Sequence, residues 1–268
     1  MKHTIRMLWV VISLAIIVGP SVTYAYNIVE VKEGGTIAGQ VNFSGHPPEP
    51  LQFAVEKNPE VCGDQRSLVK VEVQNGLLKG AVVLLEGIES GKPFTKQEFR
   101  GSAPGKGMFQ YVGGETLGLR VKTENCNFGP FTGVLTPDEA VRFGNQDSVK
   151  HVLHTFVSLD TAGSILRTWH NRDIHPEGAF ERTFDSDKLR DSRLVRITCN
   201  RHDFMQNWLY VVQNPYFAVS DEKGNFSIDN IPPGHYTLKA WHPMLGLQEQ
   251  EIQVTSGKTL AIDFAFSE

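Results

Sequence analysis

This sequence lacks the short motifs by which several large classes of enzyme are recognised. It has no Gly-x-Ser-x-Gly turn, no phosphate-binding loop, no His-Glu-x-x-His pair and no Cys-x-x-Cys-His haem attachment site. Each of these motifs supplies a nucleophile, a phosphate cradle or a set of ligands at a fixed spacing. Because none of them is present, we expect a protein that is not an enzyme.

Long hydrophobic runs are also missing. The most apolar stretch, residues 7–18, has 12 residues, whereas a membrane-spanning helix needs about 20. Two basic residues precede this stretch, a Gly-Pro pair follows and ends it, and Ala25 offers a small side chain at a cleavage point. This pattern predicts a secretory signal peptide over residues 1–25, with an uncleaved anchor as the alternative. The mature protein is then expected to be periplasmic or secreted, with no membrane span after cleavage.

The excess of basic residues that is typical of nucleic-acid-binding proteins is absent. The chain has 26 Lys and Arg residues against 30 Asp and Glu residues. Cleavage of the signal removes Lys2 and Arg6, which leaves 24 basic residues and a net charge of about −6. A nucleic-acid partner is therefore not expected.

Cysteine is scarce, and its three occurrences form an odd set. In an oxidising compartment, an odd number implies one disulfide plus a special thiol, or a link between chains. Cys62 and Cys126 lie in loop-like settings without a histidine or methionine at ligand spacing, so they are the natural pair. Cys199 has both kinds of neighbour. The alternative is that all three thiols are reduced and buried as small apolar groups.

Sustained helical periodicity is missing as well. Short segments instead alternate apolar and polar residues between turn residues, as residues 36–43 and 51–55 do. Residues 81–85 are an unbroken apolar run, which predicts a strand covered on both faces. With 268 residues and 40% apolar content, the chain can bury one large or two ordinary cores. The predicted fold class is all-β.

The sharpest chemical signal lies in residues 199–205. Cys199, His202 and Met205 place a thiol, an imidazole and a thioether in one short loop between two predicted strands. Thiolate and thioether ligands suit Cu(I), and imidazole serves both oxidation states of copper. We therefore predict a mononuclear copper site that needs one more histidine, because two imidazoles and a thiolate form its plane beneath a weak axial methionine. The alternative is a chance spacing around a buried thiol.

His151 and His154 are the candidates for the missing imidazole. Alternation along a strand puts the two side chains on opposite faces, so one of them is expected to face the metal. The position of His151 soon after Asn145 favours His151 as the ligand. His154 is then a hydrogen-bonding group near the site or an alternative ligand, and Asn145 is a candidate for the same supporting role.

Four other residues have simpler interpretations. His242 is expected to be an imidazole at the surface edge of a strand. His170 and His175 are expected to be solvated rather than metal-bound. Trp208 follows the ligand loop on a strand and is expected to pack in the core.

The end of the chain resembles a known family, the carboxypeptidase regulatory-like domain, which is a small transthyretin-like (prealbumin-like) sandwich. The family pattern is an Asp-rich turn with Gly-x-Phe-x-Ile, here residues 221–228, and then Pro-Pro-Gly-x-Tyr-x-Leu, here residues 232–238. That family opens with a strand like residues 35–41. The resemblance implies a sandwich interrupted by an insert, with residues 26–64 as its lead-in and first strands and residues 214–268 as its remainder.

The insert, residues 65–213, resembles the cupredoxins, the blue-copper family. The Cys-x-x-His-x-x-Met spacing is similar to the ligand loop of the amicyanin subgroup. Residues 144–147, Gly-Asn-Gln-Asp, resemble the Asn-x-Asp run before the first copper histidine of that fold. This resemblance implies a Greek-key β-sandwich with one type 1 copper. The ligands that it implies are His151, Cys199, His202 and Met205.

The combination of both parts resembles periplasmic proteins described as plastocyanin-like or methylamine-utilisation-like. It implies an electron-transfer protein outside the cytoplasm, with a redox protein as its partner. One departure is Arg201, because cupredoxins commonly have proline before the second ligand histidine. Two other functions stay open: a Cu(I) carrier without a redox role, and a non-catalytic β-sandwich that binds a carbohydrate or a protein.

Overall fold

The computed structural model describes residues 26–94, 118–128, 131–136, 138, 140–160, 163–189 and 192–268. The predicted signal peptide, residues 1–25, lies outside the described residues. In the part of the chain that is described, strands dominate and the two helices have four residues each, which confirms the all-β fold class. Neither of these helices is long and apolar enough to cross a membrane.

The elements of both sandwiches follow in chain order. They are β1 (Asn27–Ile28), β2 (Gly35–Ser44), β3 (Leu51–Ala54), α1 (Pro59–Cys62), β4 (Gln65–Leu68), β5 (Val73–Gln74), β6 (Leu77–Leu78), β7 (Val82–Glu86), β8 (Ser90–Gly91), β9 (Gly118–Thr123), β10 (Thr132–Leu135), β11 (Ala140–Asn145), β12 (His151–Ser158), β13 (Leu166–Ile174), β14 (Ala179–Thr183), α2 (Ser186–Leu189), β15 (Leu194–Cys199), β16 (Gln206–Val211), β17 (Phe217–Val219), β18 (Asn225–Ile231), β19 (Gly234–His242), β20 (Gly246–Val254), β21 (Thr259–Ala261) and β22 (Phe264–Ser267).

The larger sandwich consists of a five-stranded sheet, β10-β16-β15-β12-β13, and a three-stranded sheet, β14-β11-β9. In the five-stranded sheet, β10 and β16 are parallel and the other neighbours are antiparallel. Side chains from both sheets meet in one core, to which β11 contributes Phe143, β12 contributes Leu153 and β15 contributes Ile197. Alternate residues of β12 are buried, as expected of a strand with one face on a core.

The smaller sandwich consists of the sheets β17-β7-β19-β20 and β18-β2-β6-β5, and β21 and β22 pair in parallel with β2. Its separate core contains Ile37 of β2, Leu85 of β7, Ile228 of β18 and Phe264 of β22. β2 near the start of the described chain and β17 to β22 at its end therefore belong to one sandwich, and the larger sandwich is inserted between them.

The insert begins later than the boundary predicted at residues 64 and 65. β5 and β6 pair with each other and β6 pairs with β2, while β7 lies between β17 and β19. These three strands therefore belong to the smaller sandwich rather than to the larger one. The reason is that an apolar run such as residues 81–85 can occupy a central position in either sandwich, and only its pairing partners distinguish the two.

A third apolar cluster joins the two sandwiches. Val82 and Trp241 of the smaller sandwich meet Leu194, Trp208 and Tyr210 of the larger one. β7 and β16 are consequently covered on both faces, by the core of their own sandwich and by this junction. The two-sided burial of β7 agrees with the interpretation of its unbroken apolar run.

One hairpin crosses from the smaller sandwich to the larger one. It comprises β3, α1 and β4 and is named here the 51–68 hairpin. Val55 and Cys62 of this hairpin belong to the core of the larger sandwich. A disulfide joins Cys62 to Cys126, which confirms the predicted pair and leaves Cys199 as a buried free thiol.

Candidate metal centre

The candidate donors lie where two neighbouring strands of the larger sandwich end. His151 is the first residue of β12, and Cys199 is the last residue of β15. Leu153 is the register partner of Cys199, so His151 lies just beyond the end of β15. The loop after Cys199 then brings His202 to the same point. The ladder between β12 and β15 thus joins residues that are 48 positions apart in the sequence.

Three donor atoms converge there. The two Nδ1 atoms of His151 and His202 are 3.2 Å apart, and Cys199 Sγ is 3.8 Å from the first and 3.7 Å from the second. With metal–nitrogen bonds of about 2.0 Å and a metal–sulfur bond of about 2.3 Å, the corners of a trigonal plane lie about 3.5 Å apart for two nitrogens and about 3.7 Å apart for nitrogen and sulfur. The separations therefore fit a single metal ion.

The opposite side of each imidazole ring faces an oxygen atom. His151 Nε2 is 2.8 Å from Asp147 Oδ2, and His202 Nε2 is 3.2 Å from the backbone carbonyl oxygen of Lys57. A carbonyl oxygen can only accept a hydrogen bond, so His202 Nε2 must donate. The ionised Asp147 carboxylate likewise can only accept, so His151 Nε2 must donate to it. In the neutral rings, both Nδ1 lone pairs are left pointing toward the space beside Cys199.

The site is dry and its thiol is acidic. His151, Cys199 and His202 have exposed fractions of 0%, 3% and 2%. Burial raises the pKa of the Cys199 thiol, but His151 and His202, whose Nδ1 atoms donate to the sulfur when the rings are protonated, outweigh that effect and bring its pKa to about 6. A thiolate, which is the form that binds metal, is therefore accessible at neutral pH.

Asp147 and His151 stabilise each other's charged forms. Burial acts against the Asp147 carboxylate, but the hydrogen bonds from His151 and from the backbone N–H of Cys126 lower the pKa of Asp147 overall. Burial likewise opposes the His151 imidazolium, while the bonds to Asp147 and Cys199 raise the pKa of His151. The result is a carboxylate that stays ionised behind the histidine ring and orients it.

Met205 closes the ligand loop. Its backbone N–H donates to His202 O at 3.0 Å, and its carbonyl accepts from Cys199 N at 3.2 Å. The side chain of Met205 is fully buried in the core of the larger sandwich. The loop between β15 and β16 is thus a compact turn held by its own backbone, with the thioether on the core side.

Asn145 supports the site without joining the donor set. Its Oδ1 accepts from Thr123 Oγ1 at 2.7 Å and from Asp147 N at 2.9 Å, and its Nδ2 donates to Val149 O and Ile174 O. All four hydrogen bonds are buried. Asn145 therefore fixes the loop that carries Asp147, and its influence on His151 passes through that carboxylate.

His154 lies on the opposite face of β12 from His151. Its ring nitrogens lie 3.1 Å from Asn200 Oδ1 and 2.9 Å from Thr168 Oγ1. The strand register pairs His154 with Thr198 and with Asn171, on the side away from the core. The structure brings His151 to the donor set and places His154 on the outer face of β12, against Asn200 and Thr168.

The other histidines and Trp208 are placed as follows. His170 is half-buried beside Thr155, and burial together with Arg182 lowers its pKa to about 4. His175 is exposed. Trp208 is buried in the junction between the sandwiches. The expectation of a surface imidazole at His242 is wrong, because its side chain is 2% exposed, and burial lowers its pKa to about 4.

Two oxygen groups behind the imidazoles were not assigned a role from the sequence. Asp147 is four residues before His151 and was noted only as part of a similar motif. A carboxylate one short turn before a candidate histidine is a usable signal, because metal-bound histidines commonly donate to a carboxylate. The Lys57 carbonyl carries no such signal, since every residue has a carbonyl and the hairpin that delivers this one is distant in the sequence.

Comparison with known families concerns the end of the chain. The family model of the carboxypeptidase regulatory-like domain matches residues 211–267, which confirms the resemblance of the tail. The search of curated proteins found no match.

Solved structures similar to this chain include three amicyanin variants. A reduced Cu(I) form at pH 4 is 18% identical with a TM-score of 0.28, and the match covers 38% of this chain and 86% of that one. A second variant in the Cu(I) form is 17% identical with a TM-score of 0.27, and an oxidised variant is 18% identical with a TM-score of 0.27. The match to each of these two covers 35% of this chain and 80% of the other chain.

Proposed function

We propose that this protein binds one copper ion through His151, Cys199 and His202, with Met205 as a weaker fourth ligand, and that it transfers electrons outside the cytoplasm. The observation that carries the proposal is the pair of facing Nδ1 atoms. Each ring has its Nε2 committed as a donor, so two lone pairs face each other across 3.2 Å. Two such lone pairs repel unless a proton or a metal ion lies between them. A proton on His151 can take that place in the metal-free protein, and the nearby thiolate favours its replacement by a metal ion.

The mixture of donors selects copper among the common metals. A purely structural zinc site has four thiolate or imidazole ligands in a tetrahedron. Here, two imidazoles and one thiolate are accompanied by a methionine, and thioether ligands suit copper. The bound copper supplies a one-electron exchange between Cu(I) and Cu(II). The residues of the chain hold the donors in place, exclude water and keep Cys199 deprotonated.

The surroundings of the donors suit electron transfer, since transfer is fast when little has to move. All three donors are buried, each imidazole has a hydrogen-bond acceptor behind it, and the Cys62–Cys126 disulfide lies beside the site. A rigid, dry centre keeps the geometry similar in both oxidation states. A Cu(I) carrier without a redox role needs no such rigidity, because it must release its metal.

The location and the partner belong to the same proposal. The disulfide and the predicted signal peptide both suit an oxidising compartment, the periplasm or the exterior of the cell. The partner proposed is a redox protein that gives or takes one electron, and no catalytic role is proposed for the chain itself.

The test is to load the protein with Cu(II) and record its visible and electron-spin spectra. We expect an intense colour from sulfur-to-copper charge transfer, which Cys199→Ser abolishes while His154→Ala, on the outer face of β12, retains it. Reversible bleaching by a reductant and recovery by an oxidant distinguish an electron carrier from a Cu(I) carrier. A colourless complex with one copper per chain would overturn the proposal.

A further inference from the structure

The 51–68 hairpin has an unusual position for a segment of the smaller sandwich. It leaves β2, runs over the larger sandwich and returns to β5, and its helix α1 lies against the loop that carries His202. Neither strand of the hairpin extends a sheet of either sandwich, because β3 and β4 pair with each other. Its contacts with the candidate metal centre therefore need an explanation other than sheet formation.

We propose that the 51–68 hairpin is the outer wall of the metal centre, which orients His202 through the Lys57 carbonyl and limits exchange of the metal ion. The part concerning metal exchange rests on the proposed function. The part concerning His202 does not, because it holds for the protein without metal.

The hairpin contacts His202 directly. Its Nε2 lies 3.2 Å from Lys57 O and 3.7 Å from Cys62 Sγ, so both ends of the hairpin turn touch the same ring nitrogen. Asn58 follows Lys57 with a φ of 58°, a left-handed conformation that reverses the chain before α1. That reversal aims the preceding carbonyl at the ring, and Asn adopts this conformation more readily than most residues.

The hairpin also borders a cleft that is lined by His202. A cleft of about 150 Å³ lies between the hairpin and the ligand loop, lined by residues 53–57 and 201–204. His202 is among these lining residues, whereas His151 and Cys199 are not. The His202 ring is nevertheless only 2% exposed. Of the three donors, His202 is thus the one that borders this cleft, and the hairpin forms the opposite side of the cleft.

A disulfide and two arginine hydrogen bonds hold the hairpin in place. The disulfide ties Cys62 to Cys126, and Arg66 Nη2 donates to the carbonyl of Asn125 at 2.7 Å, next to that disulfide. On the ligand loop, Arg201 Nη2 donates to Asn58 Oδ1 at 3.2 Å. Arg201 occupies the position where the resemblance to cupredoxins leads one to expect proline, and here it joins the ligand loop to the wall.

Aromatic contacts complete the attachment. The rings of Phe53 and Phe204 meet edge to face with centroids 6.2 Å apart, and the Arg66 guanidinium lies 5.3 Å from the Phe204 ring centroid. Phe204 also packs against His202, with ring centroids 5.7 Å apart. The hairpin therefore contacts the ligand loop on both sides of His202, at Arg201 and at Phe204.

The test in metal-free protein uses the double variant Cys62→Ser/Cys126→Ser. We expect carbethoxylation of His202 by diethyl pyrocarbonate, located by mass spectrometry, to become at least about tenfold faster. A tenfold change requires the free energy of exposing the His202 ring to fall by only about 1.4 kcal/mol. The Nε2–H proton signal of His202 is expected to exchange slowly with water in the parent protein and rapidly in the double variant. Gln52→Ala, which removes an exposed bond to Ser67 at the far end of the hairpin, is the control. An unchanged rate at His202 in a folded double variant overturns the proposal.

A second variant keeps the proposal falsifiable if the double variant does not fold. Asn58→Gly retains the left-handed backbone, since glycine adopts it freely, but removes the bond to Arg201. We expect the same direction of change at His202, of smaller size. A rate equal to that of the parent protein in this variant counts against the wall.

The metal-loaded protein tests the second half. Release of Cu(II) to an excess of EDTA should be at least about tenfold faster in the double variant, because the same decrease of about 1.4 kcal/mol in the free energy of opening the hairpin corresponds to a tenfold change. If the protein binds no copper, the proposed function fails while the carbethoxylation result still decides the role of the hairpin. If copper is bound but is released at the parent rate from a folded variant, exchange does not pass the hairpin and that half of the proposal is wrong.

Discussion

Asp147 Oδ2 lies 2.8 Å from His151 Nε2, and both groups are almost completely buried. The same oxygen accepts the backbone N–H of Cys126, a cysteine of the disulfide. One carboxylate thus connects the imidazole that faces the donor set with the disulfide beside it. Because the carboxylate stays ionised, it holds a proton on His151 Nε2, so that in the neutral ring Nδ1 is free to bind a metal ion.

Asp147→Asn should therefore weaken metal binding. An amide can still contact the ring, but it no longer fixes the tautomer or supports the basicity of Nδ1. We expect a loss of metal affinity of about 10–100-fold, the usual effect of losing such a partner. Competition with a chelator of known affinity measures it. Asp173→Asn is the matched control, because Asp173 forms an exposed ion pair with Lys150; an equal loss in both variants would show that Asp147 has no special role.

The Cys199 thiol should titrate near pH 6 in the metal-free protein, rather than at its ordinary value of 9.0. The interactions that favour the thiolate stabilise the fold fully above the unfolded pKa, and this contribution is lost as the pH falls through the folded pKa. Below about pH 6, protons also compete with the metal for the sulfur, so the apparent metal affinity should fall about tenfold per pH unit from this group alone. Ultraviolet thiolate absorbance, with Cys199→Ser as the blank, measures the midpoint. A midpoint close to 9 contradicts the hydrogen bonds from both histidines.

The candidate donors could be named from the sequence because their chemistry is local. A thiol, an imidazole and a thioether between Cys199 and Met205 are visible as letters, and strand alternation separates His151 from His154. The meeting of His151 with the loop depends on the β12–β15 ladder, which no local pattern specifies. The sequence could therefore name two candidates, but it could not derive the 3.2 Å approach of two imidazoles.

The parts that could not be predicted depend on contacts between distant segments. The hairpin contacts His202 through the backbone carbonyl of Lys57, and no residue type in the sequence indicates such a contact. β7 joins the smaller sandwich only because β17 and β19 pair with it. His242 is the last residue of β19, and a strand end predicts the surface, yet its side chain is buried. The β class, by contrast, follows from many short alternating segments and is insensitive to any single pairing.

Acid should destabilise the protein partly through His242. Its Nδ1 accepts the backbone N–H of Met244, and burial lowers its pKa from 6.5 to about 4, so the folded state favours the neutral ring. Between these two values, the unfolded chain binds a proton that the folded chain does not. Stability should therefore decrease as the pH falls from about 6.5 to about 4, by about 1.4 kcal/mol per unit and about 3 kcal/mol in all.

His242→Asn tests this dependence, because its amide oxygen can still accept from Met244 but does not titrate. Chemical unfolding at several pH values should show a shallower loss of stability in acid, even if the variant is less stable throughout. His235→Asn, at an exposed position of the same strand β19, should leave the slope unchanged. A parent-like slope in His242→Asn would mean that other groups govern the acid sensitivity.

The junction between the sandwiches should stabilise both of them without contributing to metal binding. Trp241 is 3% exposed, and its ring centroid lies 5.2 Å from that of Tyr210 across the junction. Trp241→Ala removes this contact and leaves a cavity, so we expect a loss of about 3–5 kcal/mol in the free energy of unfolding. Leu247→Ala, at a side chain that is 41% exposed, should change the free energy by less than about 0.5 kcal/mol. Urea unfolding measures both variants.

Metal affinity of Trp241→Ala under native conditions should match that of the parent protein, since Trp241 and the donors belong to separate apolar clusters. A joint loss of stability and of affinity would instead mean that the junction holds the donor set in place.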